Sequence, residues 1–306
     1  MKNNRFLIIG YGNMGKLHTQ TLASLVPDAT FDIVDKRVLK LKNNVYRQIN
    51  FNEIKDPNIY FGIIISTHSN THLEYFKKLN SFRNIIFVEK PFVNNVTELM
   101  NFKEMGKRNV FCGFIETHNN LFELAKENLT TKPFFIQIER ISPQINSSRL
   151  VDDVSFDLTV HDLSVLLEKF IKYEDITSTK SRMNMKNKQG LYEMNNLLLE
   201  TKDCIASISS SRLGQKKIRK WKIFTKNEQI NIDLIKKELT VTMKNKKIKL
   251  QNNQLTQDFN EKTIIDSEIN PAEQQMKEYL KSLASSKMHF NYETLIYSHE
   301  ILLRSE

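Results

Sequence analysis

Six residues near the start of the chain constrain it more than any other feature. Gly10-Tyr11-Gly12-Asn13-Met14-Gly15 follows the apolar run RFLII and opens a helix-patterned stretch, MGKLHTQTLASLV. A second apolar run, TFDIV, then ends on Asp35, twenty residues beyond Gly15. A strand, a tight glycine turn, a helix, a second strand and an acid in this order are what a dinucleotide-binding βαβ unit requires. Gly10 permits the turn, Gly12 lets the backbone approach a pyrophosphate, and Gly15 allows close packing of helix on strand. Asn13 and Met14 begin the helix, whose N-terminal N–H groups favour phosphate charge. Asp35 can accept hydrogen bonds from the adenosine ribose. Its charge would repel a 2′-phosphate and so favours NAD, while Lys36 and Arg37 immediately behind it could neutralise one and leave NADP open.

The rest of the first third repeats the same rhythm. Between Arg5 and Glu116, the short apolar runs FGIIIST, NIIFVEK and VFCGFIE alternate with the helical texts THLEYFKKLN and VTELMNFKEMGKR. Unbroken apolar strands separated by helices predict a doubly wound parallel sheet of Rossmann type, covered on both faces. Past Glu116 the text changes. A helix around FDLTVHDLSVLLEKF is followed by the strand texts NNLLLE, CIASISSSR, RKWKIFT, QINIDL and LTVTMK. Two helical segments, PAEQQMKEYLKSLAS and YETLIYSHEILLR, close the chain. The fold class is therefore α/β, with a second, α+β domain built on a largely antiparallel open sheet. The division falls at 1–117 for dinucleotide binding and 118–306 for substrate binding and oligomerisation.

Charge and cysteine content narrow the partners. The net charge is +10, yet twelve basic residues against three acidic ones lie between Gly214 and Leu250 alone. That segment reads as solvated faces of antiparallel strands, with an anionic substrate or partner as the other reading. No nucleic-acid-reading motif accompanies it, so no nucleic-acid partner is expected. No apolar run reaches the roughly 18 to 20 residues of a membrane span, and the opening MKNNRFLIIG holds no export signal. A cytoplasmic protein without a membrane partner is the expectation. Cys112 and Cys204 stand alone without metal-ligand spacing, so neither a disulfide framework nor a metal site is expected.

Several motifs together resemble the glucose-fructose oxidoreductase, inositol dehydrogenase and MocA (Gfo/Idh/MocA) family. They are the glycine motif, Ile65-Ser66-Thr67-His68-Ser69-Asn70-Thr71-His72, Glu89-Lys90-Pro91, and Asp157-Leu158-Thr159-Val160-His161-Asp162. The tail from Pro271 to Arg304 is similar to the family's closing helices. The resemblance implies a nicotinamide-dependent oxidoreductase acting on a secondary alcohol or ketone of a sugar or sugar nucleotide, assembled as a homodimer or homotetramer. GFIETHNNLFELAKENL, ERISP and DLTVHDLSVL are most similar to the branch that acts at C3 of UDP-N-acetylglucosamine-type substrates. His68, Thr117, Asn120, Asp153 and Ser155 depart from the family's usual residues, and they bear on substrate more than on cofactor. A cyclitol or free-sugar dehydrogenase, a carbonyl or imine reductase, and a catalytically idle dinucleotide sensor remain as alternatives.

Oxidising a secondary alcohol needs a base for the hydroxyl proton while hydride leaves the same carbon. His161 suits this role because histidine titrates near neutrality, and Asp157, four residues earlier, would share its helix face and orient it. Lys90 ends a strand at the carboxyl edge of the parallel sheet, where doubly wound folds bind ligand, and its ammonium can meet the reacting oxygen. The resemblance implies that role for Lys90, and a cis peptide to Pro91. Thr67, Asn70 and His72 occupy the next βα turn and, with Glu89, are candidates for the nicotinamide half. Asn119 and Arg149 are candidates for substrate, Arg149 because its fork matches a diphosphate.

Overall fold

The structure, a computed structural model, describes residues 4–41, 44–106, 109–143, 151–251, 254–266, 270–285 and 292–304. The chain divides into two units, one comprising Met1–His118 and Asn270–Leu303, the other Asn119–Ile269 with Arg304–Glu306. No helix among the described residues is long and apolar enough to cross a membrane.

The first unit is built on six parallel strands: β1 (Arg5–Ile9), β2 (Thr30–Val34), β3 (Tyr46–Gln48), β4 (Gly62–Ile65), β5 (Ile86–Val88) and β6 (Val110–Cys112). Their order in the sheet is β3-β2-β1-β4-β5-β6. Phe6, Leu7, Ile8, Ile9, Ile63, Ile64 and Ile65 are all at 0% exposure, which explains the lack of alternation in these runs. A strand covered on both faces has no polar side to write into its sequence. Helices α1 (Asn13–Leu25), α2 (His72–Lys78) and α3 (Val96–Glu104) connect the strands. The order reverses between β1 and β4, and such a switch point opens a crevice at the carboxyl ends of the strands.

The second unit carries eight strands in the order β14-β13-β12-β11-β7-β10-β9-β8. These are β7 (Phe135–Pro143), β8 (Ile176–Lys186), β9 (Tyr192–Thr201), β10 (Ile205–Gly214), β11 (Ile218–Phe224), β12 (Glu228–Asp233), β13 (Glu238–Gln251) and β14 (Gln254–Ile265). Only β7 and β10 pair in parallel, so the sheet is largely antiparallel, as the alternating text implies. One face is buried: Ile136 and Ile138 of β7, Leu197 and Leu199 of β9, and Trp221 and Ile223 of β11. Helices α4 (Asn120–Glu127) and α5 (Val160–Lys169) belong to this unit, and Phe122 and Phe170 meet the Trp221 indole edge-on and tilted. On the opposite face of β11, Lys220 and Lys222 are exposed, so these lysines of the basic segment are the polar half of an alternating strand.

Helices α6 (Pro271–Ser285) and α7 (Tyr292–Arg304) complete the first unit, whereas the sequence reading places all of 118–306 in the second. The Tyr279 hydroxyl of α6 accepts from the Ile63 N–H and reaches the carbonyls of Ile63 and Ile85. Its ring packs on Phe87 and Phe111. An amphipathic helix names its own apolar face but not the surface that will cover it. The return of the chain to the first sheet is therefore absent from local text.

Candidate functional site

The glycine turn is shaped by contacts that differ at each position. Gly10 has φ +91°, and a Cβ there would sit 2.7 Å from the Ser66 carbonyl and Thr67 nitrogen. A Cβ on Gly15 would lie 2.1 Å from the Gly10 oxygen. A Cβ on Gly12 would meet nothing within 4 Å. Gly10 and Gly15 therefore serve the packing of the turn, while the side of Gly12 is open. Gly12 is also the N-cap of α1, without a side-chain capping bond or an acidic residue in the first turn. An open backbone face beside uncompensated helix N–H groups fits a pyrophosphate.

Asp35 is tied to the same turn. Its carboxylate accepts from the Tyr11 N–H at 2.7 Å and from the Arg37 N–H at 2.9 Å. The Arg37 guanidinium forks onto both carboxylate oxygens, each at 2.9 Å, and also reaches the Tyr11 carbonyl at 3.0 Å. The Arg37 hydrogen bonds hold the Asp35 carboxyl well below the usual carboxylate range. Arg37 thus covers Asp35 rather than standing apart from it, and Lys36 is exposed.

The end of β5 is held by bonds from several elements. The Lys90–Pro91 peptide is cis. Lys90 itself is half-buried. Two residues read from the sequence as cofactor candidates are buried and bonded within the protein. Glu89 is 5% exposed, its carboxylate bonded to His18 Nε2 at 2.5 Å and to the Lys90 N–H at 3.2 Å. His72 is 1% exposed, with Nδ1 2.8 Å from the Pro91 oxygen and Nε2 3.1 Å from the Thr67 oxygen. The Phe92 N–H donates to Nε2 of His299 on α7 at 3.1 Å. A ring or carboxylate buried and bonded in this way holds the shape of the loop backbone around it. Thr67 is half-buried, accepting from the Thr71 hydroxyl at 2.8 Å, and Asn70 is exposed in the turn Ser69–Thr71.

In the second unit, Ser155–Thr159 form a π-helical turn that runs into α5, so Asp157 and His161 do not lie on one regular α-helix. Such turns concentrate at functional sites because they re-aim side chains. Asp157 is met by Arg212 Nη1 at 3.4 Å. Arg212 is 3% exposed and also bonds Glu193 at 3.1 Å and the carbonyls of Asp152 and Tyr192. Asp162, beside His161, is buried and takes the Arg140 guanidinium at 2.5 and 3.0 Å and the Trp221 indole N–H at 3.0 Å. α5 is thereby tied to β7 and β11 by a satisfied buried ion pair. Asn119 spends its side-chain oxygen capping α4 on the Leu121 N–H. Arg149 lies outside the described residues.

Arg140, Arg212, His18 and His299 were not singled out by sequence reasoning. Only His18 left a trace, since it falls with Gly15, Thr19 and Leu22 on the buried stripe of α1. The others sit on strands or a closing helix as single polar residues with no local pattern to mark them.

Residues 4–113 match the family model Gfo/Idh/MocA, described as an oxidoreductase family with an NAD-binding Rossmann fold. No curated protein sequence matches the chain. Among solved structures, UDP-N-acetylglucosamine 3-dehydrogenase from Acidithiobacillus ferrooxidans is similar at a TM-score of 0.79 and 15% identity, over 98% of this chain and 95% of that one. Myo-inositol dehydrogenase from Corynebacterium glutamicum gives 0.75 and 16%, over 98% and 96%. A levoglucosan dehydrogenase solved with NADH gives 0.77 and 12%, over 98% and 96%. At these identities the likeness speaks for fold. Residues 4–113 thus match the model of the Gfo/Idh/MocA oxidoreductases, and the units of this chain have the folds found in the solved dehydrogenases named above.

Proposed function

We propose that the protein is a nicotinamide-dependent dehydrogenase that interconverts a secondary alcohol and a ketone on a sugar or sugar nucleotide, with C3 of a UDP-N-acetylhexosamine as the leading candidate. The observation that carries this reading is the carboxyl edge of the parallel sheet, where the glycine turn, Asp35, Thr67 and Lys90 follow four different strands. The open side of Gly12 and the N-terminus of α1 would hold the pyrophosphate, and Asp35 the adenosine ribose. Bound NAD supplies the hydride acceptor. Asp35, charged at any working pH, disfavours a 2′-phosphate and makes NAD the preferred cofactor.

In this scheme Lys90 donates a hydrogen bond to the substrate oxygen and stabilises its developing negative charge. His161 takes the hydroxyl proton. Its Nδ1 is buried. Asp157, held by Arg212, steadies the charge on the imidazole. Two features support the assignment: a half-buried lysine flanked by the bonded residues Glu89, Pro91 and Phe92, and a histidine set just after a π-helical turn. Arg149 and Asn119 remain substrate candidates, with Asn119 already committed to a helix cap. We further propose that the outer face of the second unit's sheet joins copies of the chain into a homodimer or homotetramer. Sedimentation showing only monomer at all working concentrations would reject that assembly.

A panel of UDP-sugars, free sugars and inositols, read by NADH absorbance, tests the reaction. His161→Asn should lower turnover by roughly two to four orders of magnitude, the usual worth of a general base, with NADH affinity nearly unchanged. Lys90→Met should lower turnover and weaken substrate binding together. Wild-type turnover in His161→Asn would assign the base elsewhere.

A further inference from the structure

The four residues Glu89 to Phe92 are gripped by three imidazoles that come from three different helices. His18 of α1 holds the Glu89 carboxylate, His72 of α2 faces the Pro91 carbonyl, and His299 of α7 accepts from the Phe92 N–H. All three rings are buried, at 0%, 1% and 0% exposure. The His299 tautomer is dictated by its partners: Nδ1 donates to the Leu295 carbonyl at 2.7 Å, so Nε2 is left as the acceptor that Phe92 needs. Gly113 closes the remaining side, since a Cβ there would come within 3.0 Å of the Glu89 carboxyl group. The Glu89 carboxylate, the Pro91 carbonyl and the Phe92 N–H are thus each met by an imidazole, while the Glu89 N–H keeps its ordinary sheet bond to the Ile65 carbonyl. Buried histidines cost solvation, and a fold that needed only a well-packed strand end would be served as well by apolar residues.

We infer that His72 and His299 are positioning residues for Lys90, fixing the peptide on its C-terminal side so that the ammonium meets the substrate oxygen at one place and angle. This rests on the proposed role of Lys90, but the bracing can be tested without any substrate. Displacement of a reacting group by about 1 Å typically costs roughly a hundredfold in rate, so a brace acting on the backbone of Lys90 would matter even though it touches no ligand.

The test uses the full chain, reductively methylated with ¹³C-formaldehyde, with the Lys90 dimethylamine resonance assigned from its loss in Lys90→Met. In the wild type, that resonance should stand apart from the exposed lysines. Four variants separate the individual bonds. The Gln in His299→Gln places its amide oxygen where Nε2 stood and should keep the Phe92 bond and the resonance position, whereas His299→Leu should move the signal into the exposed-lysine envelope. The amide nitrogen in His72→Asn replaces Nδ1 and should keep the Pro91 bond, whereas His72→Gln should lose it and shift the signal. NADH titration of each variant should give affinities within about twofold of wild type. With a substrate from the panel, turnover of His299→Leu and His72→Gln should fall roughly ten- to hundredfold, with recovery in the paired variant. If His299→Leu does not fold, the two His72 variants decide. An unchanged Lys90 resonance in His72→Gln, or in folded His299→Leu, overturns the bracing role. Wild-type turnover in Lys90→Met, with the resonance shifts as expected, would instead remove the catalytic role of Lys90 and leave the brace standing.

Discussion

Gly12 and Gly15 stand three residues apart in one motif, yet a side chain would have opposite consequences at each. At Gly12 the protein leaves room, since a Cβ would meet nothing within 4 Å. Gly12→Val should therefore fold with a near-native melting temperature while losing NADH binding by at least about a hundredfold, as measured by calorimetry. Retained affinity would remove the pyrophosphate from this turn. At Gly15 a Cβ would be driven into the Gly10 oxygen at 2.1 Å, so Gly15→Ala should lose stability by roughly 1–3 kcal/mol, the usual cost of overpacking. Asp35 makes a different kind of prediction. The Arg37 fork that now neutralises it would be released in Asp35→Ser, where it could take up a 2′-phosphate. The ratio of NADPH to NADH affinity should rise roughly ten- to hundredfold, the worth of a hydrogen bond to a charged group, by fluorescence titration. A ratio that stays put would place the ribose away from Asp35.

Two elements depend on buried polar bonds rather than on helix propensity. The start of α5 is fixed by Asp162, whose carboxylate is the counter-charge of Arg140, both at 1% exposure. Asp162→Ala would strand a buried guanidinium, and the expected loss is about 3–5 kcal/mol in urea unfolding. A loss below about 1 kcal/mol would mean that packing alone sets α5 and, with it, His161. The middle of α7 carries the second case. Burial pushes His299 down from 6.5 to about 4. The unfolded chain therefore binds a proton between these values that the folded chain refuses, so stability is at its plateau above pH 6.5 and falls as pH drops toward 4. The decline should amount to roughly 3 kcal/mol at one pKa unit per 1.36 kcal/mol. Thermal melts of wild type and His299→Gln from pH 7 to 4.5 should diverge as pH falls, with the wild type dropping more steeply. Parallel curves would show that His299 takes a proton without opposition.

At the scale of the whole molecule, the first unit is discontinuous in sequence. Its parallel sheet is assembled from residues before His118, but Tyr279 and His299, which bond Ile63, Ile85 and Phe92, arrive from beyond Asn270. A fragment ending at His118 should thus expose the faces that α6 and α7 cover and leave polar backbone without its partners. It should fail to unfold cooperatively by circular dichroism and should not bind NADH, whereas the full chain should do both. Cooperative unfolding of that fragment with full-length NADH affinity would make the closing helices dispensable.

The sequence alone determined what is encoded within one or two turns of chain. The strand, glycines, helix and acid from Arg5 to Asp35 state a dinucleotide unit because each step constrains the next residue in line, by sterics at the turn and by burial in the strand. Alternation in RKWKIFT and QINIDL likewise shows a sheet with one covered face, because the period of two is written residue by residue. Lys90 and His161 were legible as candidates from the motifs around them. What holds them was not. His18 and Glu89 are 71 residues apart, Arg212 and Asp157 are 55 apart, and Phe92 and His299 are 207 apart. Glu89 and His72 look in the sequence like groups presented to a ligand, and only the fold shows that both are buried and which groups they bond. A buried polar group is stable only when a specific partner reaches it, and that partner's position is set by tertiary packing rather than by any local period.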